Sequence, residues 1–455
     1  MNGRFAIETP LICRRVFLAV ACATACLSSR AETPVPAVDP GVRRGAASAG
    51  TAVAGVDAQY FTNTRSAFQQ VYSIAGDIES GSGLGPRFNG TSCGGCHAWP
   101  APGGSSPNQN PQLKMAKAHG AHNAIPDFLK PDGPIVAVRS KAKVGSTEAG
   151  EVLPLFTVNG RTDAYTCAVE PPDFSDTANL SIRIPTPVFG SGLIDNIPDA
   201  VILANRAAQA ARKIRLRIGG EPNMDSAGAL GKFGWKAQHP SLMAFAGDAY
   251  KTEMGVPNQT STYQRESLST PCYGLYQAAY DDPYYSSSYD QSGQAPVFLF
   301  TEFMRFLKPP APVKELAGAT VEAISNGRQI FDRVGCALCH TPSLRTGTES
   351  DLQALNRRDA VLYSDLLLHH MGPKLADGIV QGRAGPDSFR TAPLWGIGHR
   401  VFFLHDGRTK DLLVAIEDHA SDGGGFHSEA DAVIDGFHTL SPAEQQDLVN
   451  FLRSL

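Results

Sequence analysis

Two five-residue motifs constrain this chain more than any other feature. CGGCH occupies residues 93–97 and CALCH occupies residues 336–340. A Cys-x-x-Cys pair can be a redox dithiol, half of a zinc site, or the anchor of a covalent haem. A dithiol needs no histidine in the fifth position, and it sits at a strand-to-helix junction that is not evident here. A structural zinc site needs a second ligand pair at characteristic spacing. Cys-x-x-Cys-His instead reads as c-type haem attachment, with thioethers one turn apart and the adjacent histidine turned to the iron. The motifs therefore predict two covalent haems c, held by Cys93 and Cys96 and by Cys336 and Cys339. His97 and His340 are the expected proximal ligands.

The chain start agrees with that chemistry, because haem is attached outside the cytoplasm in bacteria. Arg4, Arg14 and Arg15 precede the short apolar run VFLAVACATACL, and Ser29 and Ala31 fit a cleavage site. Residues 1–31 are expected to be a signal peptide, and the protein to be periplasmic. Cys22 and Cys26 follow small residues, so a lipoprotein anchor is a variant of the same reading. Cleavage would remove four basic residues and one acidic residue, taking the formal net charge from −4 to −7. Basic residues are not clustered, which argues against a nucleic-acid partner. Of nine cysteines, three fall in the signal and four in the motifs. Cys167 and Cys272 remain; in an oxidising compartment they are expected to form one disulfide, the alternative being two separate buried thiols.

The predicted fold is mainly α, with two c-type cytochrome domains, the N-terminal one enlarged by loops and a small β element. Residues 32–55 are rich in Ala, Pro and Gly and read as a flexible linker. Residues 56–307 are the expected N-terminal haem domain, 308–319 a Pro-rich linker, and 320–455 the C-terminal cytochrome c domain. Val321, Ile324, Phe331 and Val334 have helical spacing and run straight into Cys336. Ser441, Pro442 and Glu444 predict a capped helix closing the chain, with Leu448, Leu452 and Leu455 on one face. A helix is expected near residues 60–72, a hairpin within 134–160, and a long polar surface loop over 255–295. PVFGSG at 187–192 is echoed by PLWGIG at 393–398, with Arg183 and Arg390 just upstream. The paired motifs and this echo suggest a duplicated unit.

The sixth iron ligands decide the chemistry: a protein ligand makes an electron-transfer centre, an open position admits a small oxidant. His419 and His427 lie in the zone before the last helix that supplies this ligand in small cytochromes, and Met371 is a further candidate. Each has an exposed or capping role as its alternative. For the first haem, Met115, His119 and His122 lie in a loop that could reach it, and an open or weakly ligated iron is the preferred reading.

Several stretches resemble the bacterial di-haem cytochrome c peroxidase superfamily. They are LGPRFNGTSCGGCH, RIPTPVFGSGLIDNIPD, FGWKAQHPSL, GRQIFDRVGCALCH, SDLLLHHMGP and FRTAPLWGIGHRVFFLHDGRTKDLLVAIEDHA. They are most similar to the branch of di-haem oxidoreductases sometimes labelled thiol oxidoreductases. The resemblance covers nearly all of residues 56–455. It implies a periplasmic enzyme with a catalytic N-terminal haem and an electron-receiving C-terminal haem. It also implies that the sixth ligand of the latter follows the His-Asp-Gly turn, which supports His419. The implied partners are a small periplasmic electron donor, a cytochrome or a copper protein, and hydrogen peroxide or another small oxidant. Relatives bind calcium between the haems, and a tryptophan there relays electrons; Trp235 and Trp395 are the candidates, with core packing as the alternative. Asp195, just after the first echo, is a candidate acid–base group, with helix capping as the alternative. A pure electron-transfer cytochrome and a di-haem oxygenase acting on an organic substrate are the other readings.

Overall fold

The same helical joint is built twice. In the computed structural model, which describes residues 35–43, 49–73, 84–85, 87–114, 126–143, 149–157, 173–258, 260–261, 295–348, 350–422 and 426–455, helix α1 spans Ala58–Gln69 and leads toward the first motif. Helix α2 is the short Ser191–Asp195, α3 is Leu242–Met254 and α4 is Pro296–Phe306. In the second half, α5 spans Val321–Val334, α6 Leu412–Glu417, α7 Asp431–His438 and α8 Pro442–Ser454. α1 packs on α4 through Phe68 and Phe303, with ring centroids 4.6 Å apart. α5 packs on α8 through Phe331 and Phe451, at 5.4 Å.

The echo supplies the other side of each joint. Gly190 and Gly396 both take positive φ, which costs a side-chain-bearing residue more. Gly190 N–H donates to Leu307 O at the end of α4, and Gly396 N–H donates to Leu455 O at the end of α8. The second glycine of each echo abuts the same closing helix: a Cβ on Gly192 would lie 2.0 Å from Arg305 O, and one on Gly398 would lie 2.1 Å from Arg453 O. The two echoes also meet, since Gly190 leaves room for the indole of Trp395.

Local chemistry explains the helix ends. Ser441 and Glu444 form the expected capping box, and Pro442 sits in the first turn of α8. Thr320 caps α5 by accepting from Ala323 N–H, and the helix stops at Gly335 with φ 113°. That turn feeds directly into Cys336. The expected hairpin exists and gains a strand. β1 (Ala137–Ser140) pairs antiparallel with β2 (Val152–Leu153) on one side and with β3 (Leu180–Arg183) on the other. A second small sheet pairs β4 (Leu368–His370) with β5 (Ser388–Arg390).

Two expectations about connections need correction. Residues 36–455 form one compact unit, and neither Pro-rich segment hangs free. Asp39, in the stretch read as a flexible linker, accepts from Arg453 Nε at 2.7 Å and from Nη2 at 2.5 Å, with both side chains buried. Arg43 donates to Ser454 O at 2.7 Å. Val53 N–H reaches Phe306 O, and Lys308 N–H reaches Thr51 O. Within 308–319, Val313 N–H donates to Ser454 O. Proline and glycine disfavour a helix in these segments, and the groups just named pair instead with the chain around the ends of α4 and α8. The signal segment, Met115, His119, His122, Cys167 and Cys272, and most of the 255–295 loop lie outside the described residues.

Candidate haem sites

Each motif closes one helical turn. His97 N–H donates to Cys93 O at 2.9 Å, and His340 N–H donates to Cys336 O at 2.8 Å. This turn puts both sulfurs and the imidazole of each motif on the wall of a separate cavity. The first is about 1140 Å³ and the second about 1380 Å³, counting space that opens to solvent. No disulfide joins these four cysteines. Burial pushes Cys93 and Cys336 up to about 12, so neither is a reactive thiolate. Among the described residues, no group of three or more His, Cys, Asp and Glu side chains gathers to hold a metal ion. Among those residues, neither pair has the further ligands of a zinc tetrahedron.

The histidines are prepared as ligands. His97 Nδ1–H donates to Gly104 O at 3.1 Å, and His340 Nδ1–H donates to Tyr363 O at 3.0 Å. Each bond fixes the tautomer and leaves Nε2 as the lone-pair nitrogen. Burial lowers both groups to about 4, so both are neutral at pH 7. A phenyl ring backs each one: Phe68 lies 6.1 Å from His97, and Phe331 lies 6.3 Å from His340.

His419 stands across the second cavity from His340. Their ring centroids are 6.5 Å apart, and His419 Nδ1–H donates to Ala415 O at 2.7 Å. A metal about 2 Å from each of two imidazole nitrogens separates the ring centroids by roughly 6 Å. The spacing fits one iron between them. Met371 also lines this cavity, beside Trp235 and Phe389. His427 does not; its side chain is 67% exposed and faces Asp431 at 3.4 Å. The loop carries it past the end of α6 to the surface.

The first cavity is lined differently. Besides Cys93, Cys96 and His97, its wall includes Gln112, Arg139, Gln238, His239, Asp248 and Glu253. His239 Nε2 lies 3.3 Å from Asp248 Oδ2, and Glu253 accepts from Asn89 Nδ2 at 2.8 Å. Burial favours protonating Asp248, but the hydrogen bond and charge of His239, with Arg139 and Lys251, hold its carboxyl below the usual range. Sequence reasoning missed this group. Asp248 and Glu253 reach the wall because α3 turns one face to it, a periodicity carried by isolated acidic residues in an otherwise ordinary helix.

Asp195 is not part of that wall. Its carboxylate accepts from Leu242 N–H at 3.1 Å, capping α3, and faces Arg305 at 3.7 Å. Lying next to the echo places it toward the closing helix α4 rather than toward the cavity, so the capping alternative describes its position. Trp395 packs on Gly190 and lines neither large cavity. Trp235 lines both. Its Nε1–H donates to Ile184 O at 2.8 Å, which fixes the ring between them.

Another buried group went unread. His369 sits between Asp365 at 3.0 Å and Glu429 at 2.6 Å, on the wall of the second cavity, 3.6 Å from Cys339 Sγ. Burial opposes its charge, but the Asp365 carboxylate raises it well above the ordinary histidine value. The two carboxylates leave it cationic at neutral pH.

Comparison with known proteins adds one family. A family model described as "Di-haem oxidoreductase, putative peroxidase" matches residues 140–455. No curated protein matches the chain. Among solved structures, Kuenenia stuttgartiensis hydrazine synthase pressurised with xenon shares 11% identity, with 98% of this chain and 100% of that chain covered and a TM-score of 0.36.

Proposed function

The chain belongs to the di-haem oxidoreductase family, and from that premise we propose that it is an exported peroxidase-like enzyme. In this reading the two halves are c-type cytochrome domains, and each motif holds one covalent haem. When bound, haem supplies an iron that exchanges electrons and, where its sixth position is open, binds a small oxidant. The half-buried motif cysteines, the neutral His97 and His340, and the cavities they line suit that group.

The observation that carries the reading is the asymmetry of the two cavities. The second presents His419 opposite His340 at a spacing suited to two axial ligands. In the first, the other histidine on the wall, His239, is engaged by Asp248, and Glu253 adds a further ionisable group. The second is therefore assigned to electron transfer and the first to reaction with oxidant. Reducing one hydrogen peroxide to two waters takes two electrons and two protons. A small periplasmic redox protein supplies the electrons, Trp235 lies between the two sites, and Glu253 with the His239–Asp248 pair holds and moves the protons. Such acid–base groups contribute about 10²–10⁴-fold. Export through residues 1–31 and a Cys167–Cys272 disulfide belong to the same proposal.

Electron paramagnetic resonance of the resting protein, followed by mixing half-reduced protein with hydrogen peroxide, tests the assignment. One high-spin and one low-spin ferric signal, with rapid reoxidation by peroxide, is the expected result. Two low-spin signals and no response to peroxide would make the protein an electron carrier.

A further inference from the structure

We propose that Arg390 and Arg400 form a buried carboxylate-binding site in the second cavity, holding the acidic edge of the tetrapyrrole bound there. The inference rests on the di-haem reading and adds to it the orientation of the group.

Both side chains line the cavity, and both residues are under a tenth exposed. Arg390 Nε–H donates to Gly234 O at 2.8 Å, while its Nη1 has no partner. Nε and Nη2 of Arg400 are also buried without partners. Among the described residues, three guanidinium nitrogens of two neighbouring cations are thus buried with nothing to accept from them. A fold does not sustain such an arrangement without an anion. Burial lowers both guanidinium groups only to about 10, so both are charged at neutral pH.

The protein's own carboxylates near this cavity are committed elsewhere. Glu429 accepts from His369 and from the N–H groups of Gly219, Gly220 and His370. Asp377 is held by Arg183 and Lys236, and Asp406 by Arg408. Among the described residues no carboxylate is left for them, so the acceptor is assigned to a group bound in the cavity. A pair of carboxylates suits two planar guanidinium forks, each able to grip an oxygen pair. In a c-type haem the thioether substituents and the two propionates lie on opposite edges. Cys336 and Cys339 fix the first edge, so the two arginines complete the other.

The site also touches Trp235. The Arg400 guanidinium carbon lies 5.8 Å from the Trp235 ring centroid, and Arg390 N–H donates to Trp235 O at 2.8 Å. The acidic edge of the second haem thus faces the residue shared by both cavities.

The test uses the haem-loaded protein, with resonance Raman spectra and a spectroelectrochemical titration of each haem. Arg400→Gln should shift the propionate bending band of the second haem and move that haem to lower potential, because a cation opposing the ferric state is lost. The first haem should not change. Arg400→Lys, which keeps the charge but loses the fork, should restore the potential in part and leave the band shifted. If Arg400→Gln fails to fold, Arg390→Lys is read in its place, with the same band shift expected. A second haem present with band and potential unchanged in the variants overturns the inference. If sodium succinate alters the wild-type potential and the variants abolish that effect with the propionate band unmoved, the site takes a free carboxylate and the assignment also fails. A protein lacking both Cys336 and Cys339 (C336A/C339A) that still carries two covalent haems would instead sink the di-haem reading itself.

Discussion

His340 and His419 face one another with their ring centroids 6.5 Å apart, and each gives its Nδ1–H to a main-chain carbonyl. With both Nε2 atoms free to ligate, His419→Ala should convert one low-spin haem to high-spin and raise its potential. Absorption and paramagnetic resonance spectra read this directly. An unchanged low-spin spectrum would pass the role to Met371, the other candidate on that wall.

Glu253→Gln should slow the reaction of half-reduced protein with hydrogen peroxide by about 10²–10⁴-fold, with peroxide-free spectra retained. Asp195→Asn should leave that rate nearly untouched. Its carboxylate caps α3 at Leu242 N–H, so its measurable effect is on unfolding, at about 1 kcal/mol or less. Stopped-flow traces and denaturation curves of the two variants separate the roles, and a rate collapse in Asp195→Asn would contradict the geometry.

Trp235→Phe should slow electron exchange between the two sites while preserving both haem spectra. Trp395→Phe should not slow it, since that ring lines neither large cavity. Flash-initiated reduction of one haem, followed at the other, makes the comparison.

Acid should weaken the hold of the N-terminal segment. Burial favours protonating Asp39, but Arg453 and the N–H groups of Gly41 and Leu412 outweigh it and keep the carboxyl below its usual value. A carboxylate lowered on folding stabilises fully above its unfolded pKa, near 4, and loses that contribution as pH falls toward the lowered value. Asp39→Asn should remove about 3–5 kcal/mol at neutral pH, because Arg453 stays buried without its partner. It should also flatten the acid limb of the stability curve. A variant as stable as the parent at pH 7 would refute this account.

Much of this molecule was legible in its letters. The two Cys-x-x-Cys-His motifs are contiguous, so the expectation they raise needs no tertiary information. The capping box of Ser441 and Glu444 and the periodicity of α5 are likewise local. The cavity walls are another matter. His239 meets Asp248 only because a loop and a helix face are brought together, and Arg400 acquires meaning only once buried beside Arg390. Asp195 is close to the echo in sequence, yet its carboxylate is turned to Leu242 N–H and Arg305, which only the packing of α2, α3 and α4 reveals. The Pro-rich start of the chain misled for a related reason: its composition rules out a helix but says nothing of Asp39 finding Arg453.

That last contact carries a statement about time. Asp39 and Arg453 are 414 residues apart in sequence, so the pair cannot form until the chain between them has been made. Contacts of such long range are slow to form, because the closure entropy of the intervening chain must be met first. A segment synthesised early is thus among the last to settle, and until it does, the end of α8 lacks the partner that pins it over the second cavity.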